Sequence, residues 1–165
     1  SYVSAAFGLA RIRLGVGDRS GAIAALTDVP GISSYHVAAQ IAVVRILVSS
    51  GQGPAGQGPA GQGSARQDGV TVDDLRQADG RLSRLAVDDL RRHQLSAEIL
   101  QAAVEWCTSG QPPGTGPILG CEPNARALRC GLERSYGALA RLAPDKGRRI
   151  EFVDMANSVR PRTLT

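Results

Sequence analysis

The stretch that decides the fold runs from residue 5 to residue 30: Ala5-Ala-Phe-Gly-Leu-Ala-Arg-Ile-Arg-Leu14, then Gly15-Val-Gly-Asp18, then Arg19-Ser-Gly-Ala-Ile-Ala-Ala-Leu-Thr-Asp-Val29 before Pro30. The first part has the residue pattern of a helix, the second is a tight break, and the third is another helix that Pro30 closes. Small or apolar residues recur where two antiparallel helices would touch: Leu9, Ala10, Ala22, Leu26 and Val29. The stretch predicts a helical hairpin, and the small side chain of Ala22 allows the closest approach of the two backbones.

One such hairpin cannot bury its apolar stripe by itself, so it implies stacked neighbours of the same kind. The composition agrees, because only one Trp, three Tyr and two Phe occur in 165 residues. Helices that pack closely through small and aliphatic side chains need few aromatic rings. The pattern therefore indicates a protein that works as a surface rather than as a catalyst.

Two further amphipathic helices follow. Ser33 to Ser49 is predicted to form a third helix, and a fourth is predicted to begin after Thr71, which can cap it together with Asp74. The apolar positions that predict their buried faces are Val37, Ile41, Val44 and Val48 in the third helix, and Leu75, Ala78, Leu82 and Leu85 in the fourth.

The last three helices are predicted from the same signals. A fifth helix starts near Val87, with Asp88 and Asp89 in its first turn, and ends at Ser109-Gly110. A sixth starts at Pro123, and a seventh runs from Pro144 to about Val159, where Pro161 stops it. Their predicted buried stripes are Leu95, Ile99, Ala102 and Trp106 in the fifth, and Leu128, Leu132, Tyr136, Leu139 and Ala143 in the sixth.

Between the third and fourth helices the composition changes abruptly. Gly51-Gln-Gly-Pro-Ala55 is repeated as residues 56–60 and, with Ser for Pro, as residues 61–65. Such a segment has nothing apolar to bury, so residues 51–70 are predicted to be a disordered linker. The predicted organisation is one domain: a hairpin plus a third helix in residues 1–50, and two further hairpins in residues 71–165. The fold class is all-α, with about seven helices in tetratricopeptide-like antiparallel hairpins that form an α-α superhelix.

Charge and reactive residues favour no catalytic, metal or cofactor site. The net charge is +4, and every basic residue except Lys146 is Arg. No basic run interleaved with aromatic residues occurs, which disfavours nucleic-acid binding. Cys107, Cys121 and Cys130 lack the spacing of a zinc site and are expected to be reduced thiols. No apolar run reaches the roughly 20 residues of a membrane span, so a cytoplasmic location is expected.

Two blocks carry a more specific resemblance. One is Ser4-Ala-Ala-Phe-Gly-Leu-Ala-Arg11 with Gly17-Asp18-Arg19 and Val29-Pro30; the other is Leu139-Ala-Arg-Leu-Ala-Pro144 with Phe152-Val-Asp-Met-Ala-Asn157 and Val159-Arg-Pro161. Together they resemble the C-terminal tetratricopeptide region of the actinobacterial serine/threonine protein kinase G family. The resemblance covers nearly the whole chain apart from the repeated linker. Because Met155 is the only methionine and the chain starts at Ser1, we expect a piece of a longer protein.

The resemblance implies an all-α module that follows a rubredoxin-like domain and a kinase domain, supports the kinase, and contributes to dimerisation and regulation. The kinase motifs themselves are absent: the sequence has no H-R-D and no D-F-G, and its one lysine lies in a helical context. We therefore expect no enzyme activity from this chain. The expected partner is another protein, the kinase domain of the same polypeptide, or a second copy. The alternatives are a free-standing adaptor derived from such a kinase and a basic helical nucleic-acid binder.

Arg11 and Arg45 are the candidate partner-binding residues. In a tetratricopeptide stack the first helix of each pair lines the concave face, so Arg11 on the first helix and Arg45 on the third could face an acidic peptide. The planar guanidinium group suits this role because it can hold a carboxylate with two hydrogen bonds.

Overall fold

The computed structural model describes residues 2–49, 69–111 and 114–161. Within these ranges the chain forms seven α-helices: α1 (Tyr2–Gly15), α2 (Arg19–Thr27), α3 (His36–Val48), α4 (Val72–Arg84), α5 (Asp89–Thr108), α6 (Ala125–Leu142) and α7 (Lys146–Val159). The expected all-α fold is confirmed. The repeated segment at 51–65 lies outside the described residues, whereas Val70, at the end of the expected linker, packs against the core.

Side chains before the helices explain where most of them begin. Asp18, Thr71, Asp88, Asn124 and Asp145 each accept a hydrogen bond from a backbone N–H in the first turn of the helix that follows, which satisfies a donor that has no partner inside the helix. At α4 the cap is reciprocal. Thr71 Oγ1 accepts from Asp74 N at 3.2 Å, and Asp74 Oδ2 accepts from Thr71 N at 3.0 Å. The expected capping box is therefore present.

The turn between α1 and α2 follows the sequence pattern closely. Gly17 has a φ of 78°, a conformation that side chains with a Cβ rarely adopt. The N–H of Asp18 then donates to the carbonyl of Arg13 at 2.8 Å, and Asp18 caps α2. This geometry reverses the chain, and α1 packs on α2 with Ala22 fully buried between them.

The core is continuous along the array, because each helix packs against the next and α3 also contacts α5. The apolar stripes predicted for α4, α5 and α6 are buried, including Trp106 at 6% exposure. Gly131 on α6 leaves room for Cys121, in the connection before α6, and for Leu100 on α5, since a Cβ there would lie 2.5 Å from Cys121 Sγ and 3.4 Å from Leu100. Small residues thus set the spacing of the helices, as the low aromatic content indicates.

Some expected positions differ from the structure. Leu9 and Ala10 were both expected at the contact of α1 with α2. Ala10 is buried, together with Ala6, whereas Leu9 is 42% exposed. The reason is that, within the described residues, α1 packs extensively only against α2, so the side that carries Leu9 has no packed neighbour. In α3, Val37 and Val48 are only partly buried, and Ala39, Val43 and Leu47 supply more of the buried face.

Some helix ends also differ from their expected bounds. Helix α1 begins at Tyr2 rather than near Ala5, and α2 ends at Thr27 rather than Val29. Helix α3 begins at His36 rather than Ser33, because the backbone from Pro30 to His36 forms two successive turns.

The third helix is not a separate addition to the first hairpin. It packs against α2 on one side and against α4 on the other, and its contact with α4 is more extensive than that of α4 with α5. The expected contacts of α4 with α5 and of α6 with α7 are also present. Helix α3 therefore links the part before the repeated segment to the part after it.

Arg19 holds this junction together. Its Nε and Nη2 donate to the carbonyls of Ile46 and Leu47 at 3.1 and 2.6 Å, and its Nη1 lies 3.2 Å from Asp74 Oδ2. One guanidinium group at the start of α2 thereby binds the end of α3 and the start of α4. We call this arrangement the Arg19 junction. The donors satisfy carbonyls that a helix end leaves without partners.

Candidate partner groove

A groove of about 630 Å³ runs between α1 and α3 and reaches the start of α5. Apolar side chains form most of its lining: Phe7, Ala10, Leu14, Leu26, Ile41 and Ile46. Several of these residues also belong to the hydrophobic core or pack against it, so core side chains form the floor of the groove. A concave apolar surface that remains open suits a partner segment with apolar side chains of its own.

The structure places both sequence-predicted residues on this groove. Arg11 and Arg45 contribute to its lining from α1 and α3 respectively. Arg11 is exposed, and within the described residues its guanidinium group has no ion pair or side-chain hydrogen bond. The two residues are thus brought together as the sequence argument requires, while their role in binding stays a prediction.

Arg45 is already engaged inside the protein. Its Nε and Nη2 donate to the two carboxylate oxygens of Glu98 on α5, at 3.1 and 3.0 Å. This bidentate pair raises the pKa of the Arg45 guanidinium above its usual value, chiefly through the hydrogen bond to Glu98. The pair fixes the orientation of Arg45 and uses the carboxylate-binding geometry that a ligand would need.

Sequence reasoning missed Arg91, which lines the same groove from the first turn of α5. Its side chain is exposed and has no acidic partner among the described residues. Arg91 was missed because the sequence pattern pairs α4 with α5 in one hairpin. In a tetratricopeptide stack this makes α5 the second helix of its pair, which lies away from the concave face. Only the contact of α3 with α5 brings Arg91 to the groove. Within the described ranges, Arg11 and Arg91 are therefore the two groove arginines without an ion-pair partner.

Other reactive side chains form no comparable site. Within the described ranges, no group of three or more His, Cys, Asp or Glu residues could hold a metal ion. Cys107, Cys121 and Cys130 are free thiols. His36 Nδ1 lies 3.0 Å from the carbonyl of Val29, which gives this imidazole a structural contact. In the part of the chain that the structure describes, no helix is long and apolar enough to cross a membrane.

Comparisons with known proteins agree with this architecture. Residues 1–163 match the family model described as "Protein kinase G tetratricopeptide repeat". The chain is 35% identical over 159 residues to the serine/threonine-protein kinase PknG of Mycobacterium leprae, and 32% identical over 159 residues to that of Mycolicibacterium smegmatis. Each alignment covers 96% of this chain but 19% of the relative.

The chain thus spans about a fifth of the length of these curated relatives, and what it matches is their tetratricopeptide region rather than a catalytic domain. This agrees with the absence of kinase motifs from the sequence, and no enzyme activity is assigned to the chain. Two resemblance blocks, a helical array and a family model over nearly all residues lead to the same identity. The chain belongs to the protein kinase G tetratricopeptide-repeat family.

Proposed function

We propose that this chain is a non-catalytic protein-interaction module that supports and regulates a serine/threonine kinase of the protein kinase G type. The observation that carries the proposal is the groove between α1, α3 and α5, whose apolar lining is flanked by Arg11 and Arg91. These two features fit a partner segment that presents apolar side chains next to carboxylates. The segment belongs to the kinase portion of the same polypeptide or to a separate protein, and the site of action is the cytoplasm.

Other apolar residues of this region are exposed outside the groove. Leu9 and Ile12 on α1 are 42% and 65% exposed, and Val16, in the turn after α1, is 73% exposed. Exposed apolar side chains of this kind support contact with another protein surface.

The test is a binding measurement between the 165-residue chain and the Mycolicibacterium smegmatis kinase from which the matched stretch has been deleted. Retained kinase activity would show that this probe is folded. Arg11→Glu combined with Arg91→Glu should weaken binding by tenfold or more, because two charges in the groove become repulsive. Arg45 is left unchanged, since a glutamate there would also repel Glu98 and disturb the fold.

The control variant combines Arg148→Glu with Arg149→Glu on α7. It makes the same charge change at two exposed positions away from the groove. Its affinity should equal that of the unaltered chain. No binding of the unaltered chain, or an equal loss in both variants, would contradict the proposed groove.

A homodimer is the second proposal, and the observation that favours it is the last helix. Helix α7 has no buried residue, and Ile150 and Val153 are 50% and 44% exposed. A second copy that packs on this side would remove both side chains from water. In sedimentation-equilibrium experiments, Val153→Glu should shift the chain towards monomer, whereas Arg148→Glu should not. A chain that is monomeric before any substitution would contradict the dimer.

A further inference from the structure

A second cleft, of about 650 Å³, lies among the end of α2, the first turns of α3, and α4. Three arginines line it, Arg76, Arg81 and Arg84, and His36 lies beside them. The remaining polar lining is neutral, and no carboxylate belongs to it. We call it the basic cleft. None of its lining residues belongs to the groove between α1 and α3.

Two of the three arginines, Arg81 and Arg84, have no carboxylate partner among the described residues. Arg81 donates through Nη1 to Gln40 Oε1 at 2.6 Å and through Nη2 to Thr27 Oγ1 at 3.3 Å, and both acceptors are neutral. Arg84 is exposed, and its guanidinium group has no hydrogen bond or ion pair among the described residues. Two guanidinium groups three residues apart on α4 therefore share one side of the cleft without an acid between them.

Arg76 adds a third positive charge to the lining. Its Nη2 is buried beside Gly116, outside the cleft lining, and has no hydrogen-bond partner among the described residues. Its Nη1 lies 3.7 Å from Asp73, whose side chain is 81% exposed, so water screens that pair. Arg76 therefore contributes positive charge to the basic cleft, while the donors that an anion can reach there are those of Arg81 and Arg84.

The electrostatics of Arg81 point in the same direction. Burial lowers the pKa of its guanidinium, and the neighbouring charge of Arg84 lowers it further. Both effects disfavour the positive charge of the cleft as it stands. A ligand with negative charge reverses both, because it replaces lost hydration and offsets the repulsion between the two arginines.

We propose that the basic cleft binds the phosphoryl group of a phosphoserine or phosphothreonine in a protein segment. Such a group carries close to two negative charges and three acceptor oxygens, which several guanidinium groups can hold at once. Nucleic acid fits less well, because the lining contains no Trp, Tyr or Phe on which a base could stack. The inference rests on the proposed function, since a serine/threonine kinase produces these modified side chains.

The experiment is an NMR titration of the full 165-residue chain at constant ionic strength. The probes are phosphothreonine blocked at both ends, the same blocked threonine without phosphate, and inorganic phosphate. The readout is the arginine side-chain N–H signals and the backbone signals of α4. Blocked phosphothreonine should give saturable shifts at the basic cleft and should bind more tightly than inorganic phosphate, because the ion lacks the carbon and amide groups that contact the neutral lining.

Two variants and one control test the assignment to this cleft. Arg84→Gln removes a side chain without described hydrogen bonds, so the fold should persist while affinity falls by about tenfold, as expected for the loss of a charge-assisted hydrogen bond. Arg81→Gln combined with Arg84→Gln should abolish saturable binding. The control, Arg148→Gln with Arg149→Gln on α7, removes the same charge from exposed positions and should bind like the unaltered chain.

Three results would overturn the proposal: equal binding of phosphorylated and unphosphorylated threonine, equal or tighter binding of inorganic phosphate, or an equal loss in the α7 control. The result is separable from the test of the groove. Arg11→Glu with Arg91→Glu should leave phosphothreonine binding intact, and Arg84→Gln should leave binding to the kinase probe intact.

Discussion

The Arg19 junction and the basic cleft are both built around arginines on or next to α4, yet they use them in opposite ways. At the junction, one guanidinium group meets two helix-end carbonyls and the carboxylate of Asp74. In the cleft, Arg81 meets only neutral acceptors and Arg84 meets none among the described residues. From this contrast we infer that the acceptors around an arginine, more than its exposure, distinguish a structural arginine from one available to a ligand.

The largest expected effect is at the junction. Arg19→Met should lower the free energy of unfolding by about 2 kcal/mol, because it leaves the carbonyls of Ile46 and Leu47 without their donor and removes the charge partner of Asp74, which keeps only its hydrogen bonds from Thr71. Urea denaturation of the chain measures this change. Arg148→Met, an equivalent substitution at an exposed position of α7, should change stability little. Equal stability of the two variants would contradict the structural role of Arg19.

An arginine next to the cleft should behave like Arg19 rather than like its neighbours. Arg92 on α5 donates to the carbonyls of Leu82 and Leu85 at 3.2 and 2.8 Å, which closes the end of α4. Arg92→Met should therefore cost about 1–2 kcal/mol of stability. The same denaturation measurement checks it, and phosphothreonine affinity should be unaffected. A loss of phosphothreonine affinity without a loss of stability would contradict the inference that an arginine bound to helix-end carbonyls has a structural role.

The capping box at the junction should give a smaller loss. Thr71→Val removes the hydroxyl that accepts from Asp74 N and should cost about 1 kcal/mol. Because Thr71 and Arg19 both contact Asp74, the two substitutions should be non-additive in a double-mutant cycle. Thr71→Ser, which keeps the hydroxyl, is the control. Full additivity would mean that Asp74 does not couple the two contacts.

The smallest effect on stability is expected in the cleft itself. Arg84→Gln should change the free energy of unfolding by less than about 0.5 kcal/mol, because the side chain is exposed and has no described hydrogen bond. Thermal and urea unfolding both measure it. Added salt should make the difference in unfolding free energy between Arg84→Gln and the unaltered chain smaller still, since it screens the repulsion between Arg81 and Arg84. A large loss of stability would show that Arg84 has a structural role, as Arg19 has.

Local patterns predicted the parts of this fold that local chemistry determines. Thr71 and Asp74 cap α4, and Leu75, Ala78 and Leu82 form its buried face, because caps and stripes depend on residues within a few positions of one another. The same holds for the burial of Trp106 and for the turn at Gly17. Seven helices follow from these signals alone.

Contacts between distant residues were outside the reach of such patterns. Arg19 meets Asp74 across 55 positions, and Arg45 meets Glu98 across 53. No periodicity in the sequence indicates which arginine finds which acid, nor that α3 packs against α4 beyond the repeated segment. Arg91 was missed for this reason, and Arg11 and Arg45 were placed on one surface only through the general geometry of stacked hairpins.

The Arg19 junction has a consequence for the sequence between α3 and α4. Arg19 binds both the end of α3 and the start of α4. The connection between these helices can therefore change in length while the two helix ends keep their positions. Loop-closure entropy grows slowly, by about 0.6 kcal/mol for each doubling of length. The connection between α3 and α4 is therefore a site that should tolerate insertions. Five-residue units can be duplicated there during evolution, and a fluorescent or affinity tag can be inserted there in the laboratory.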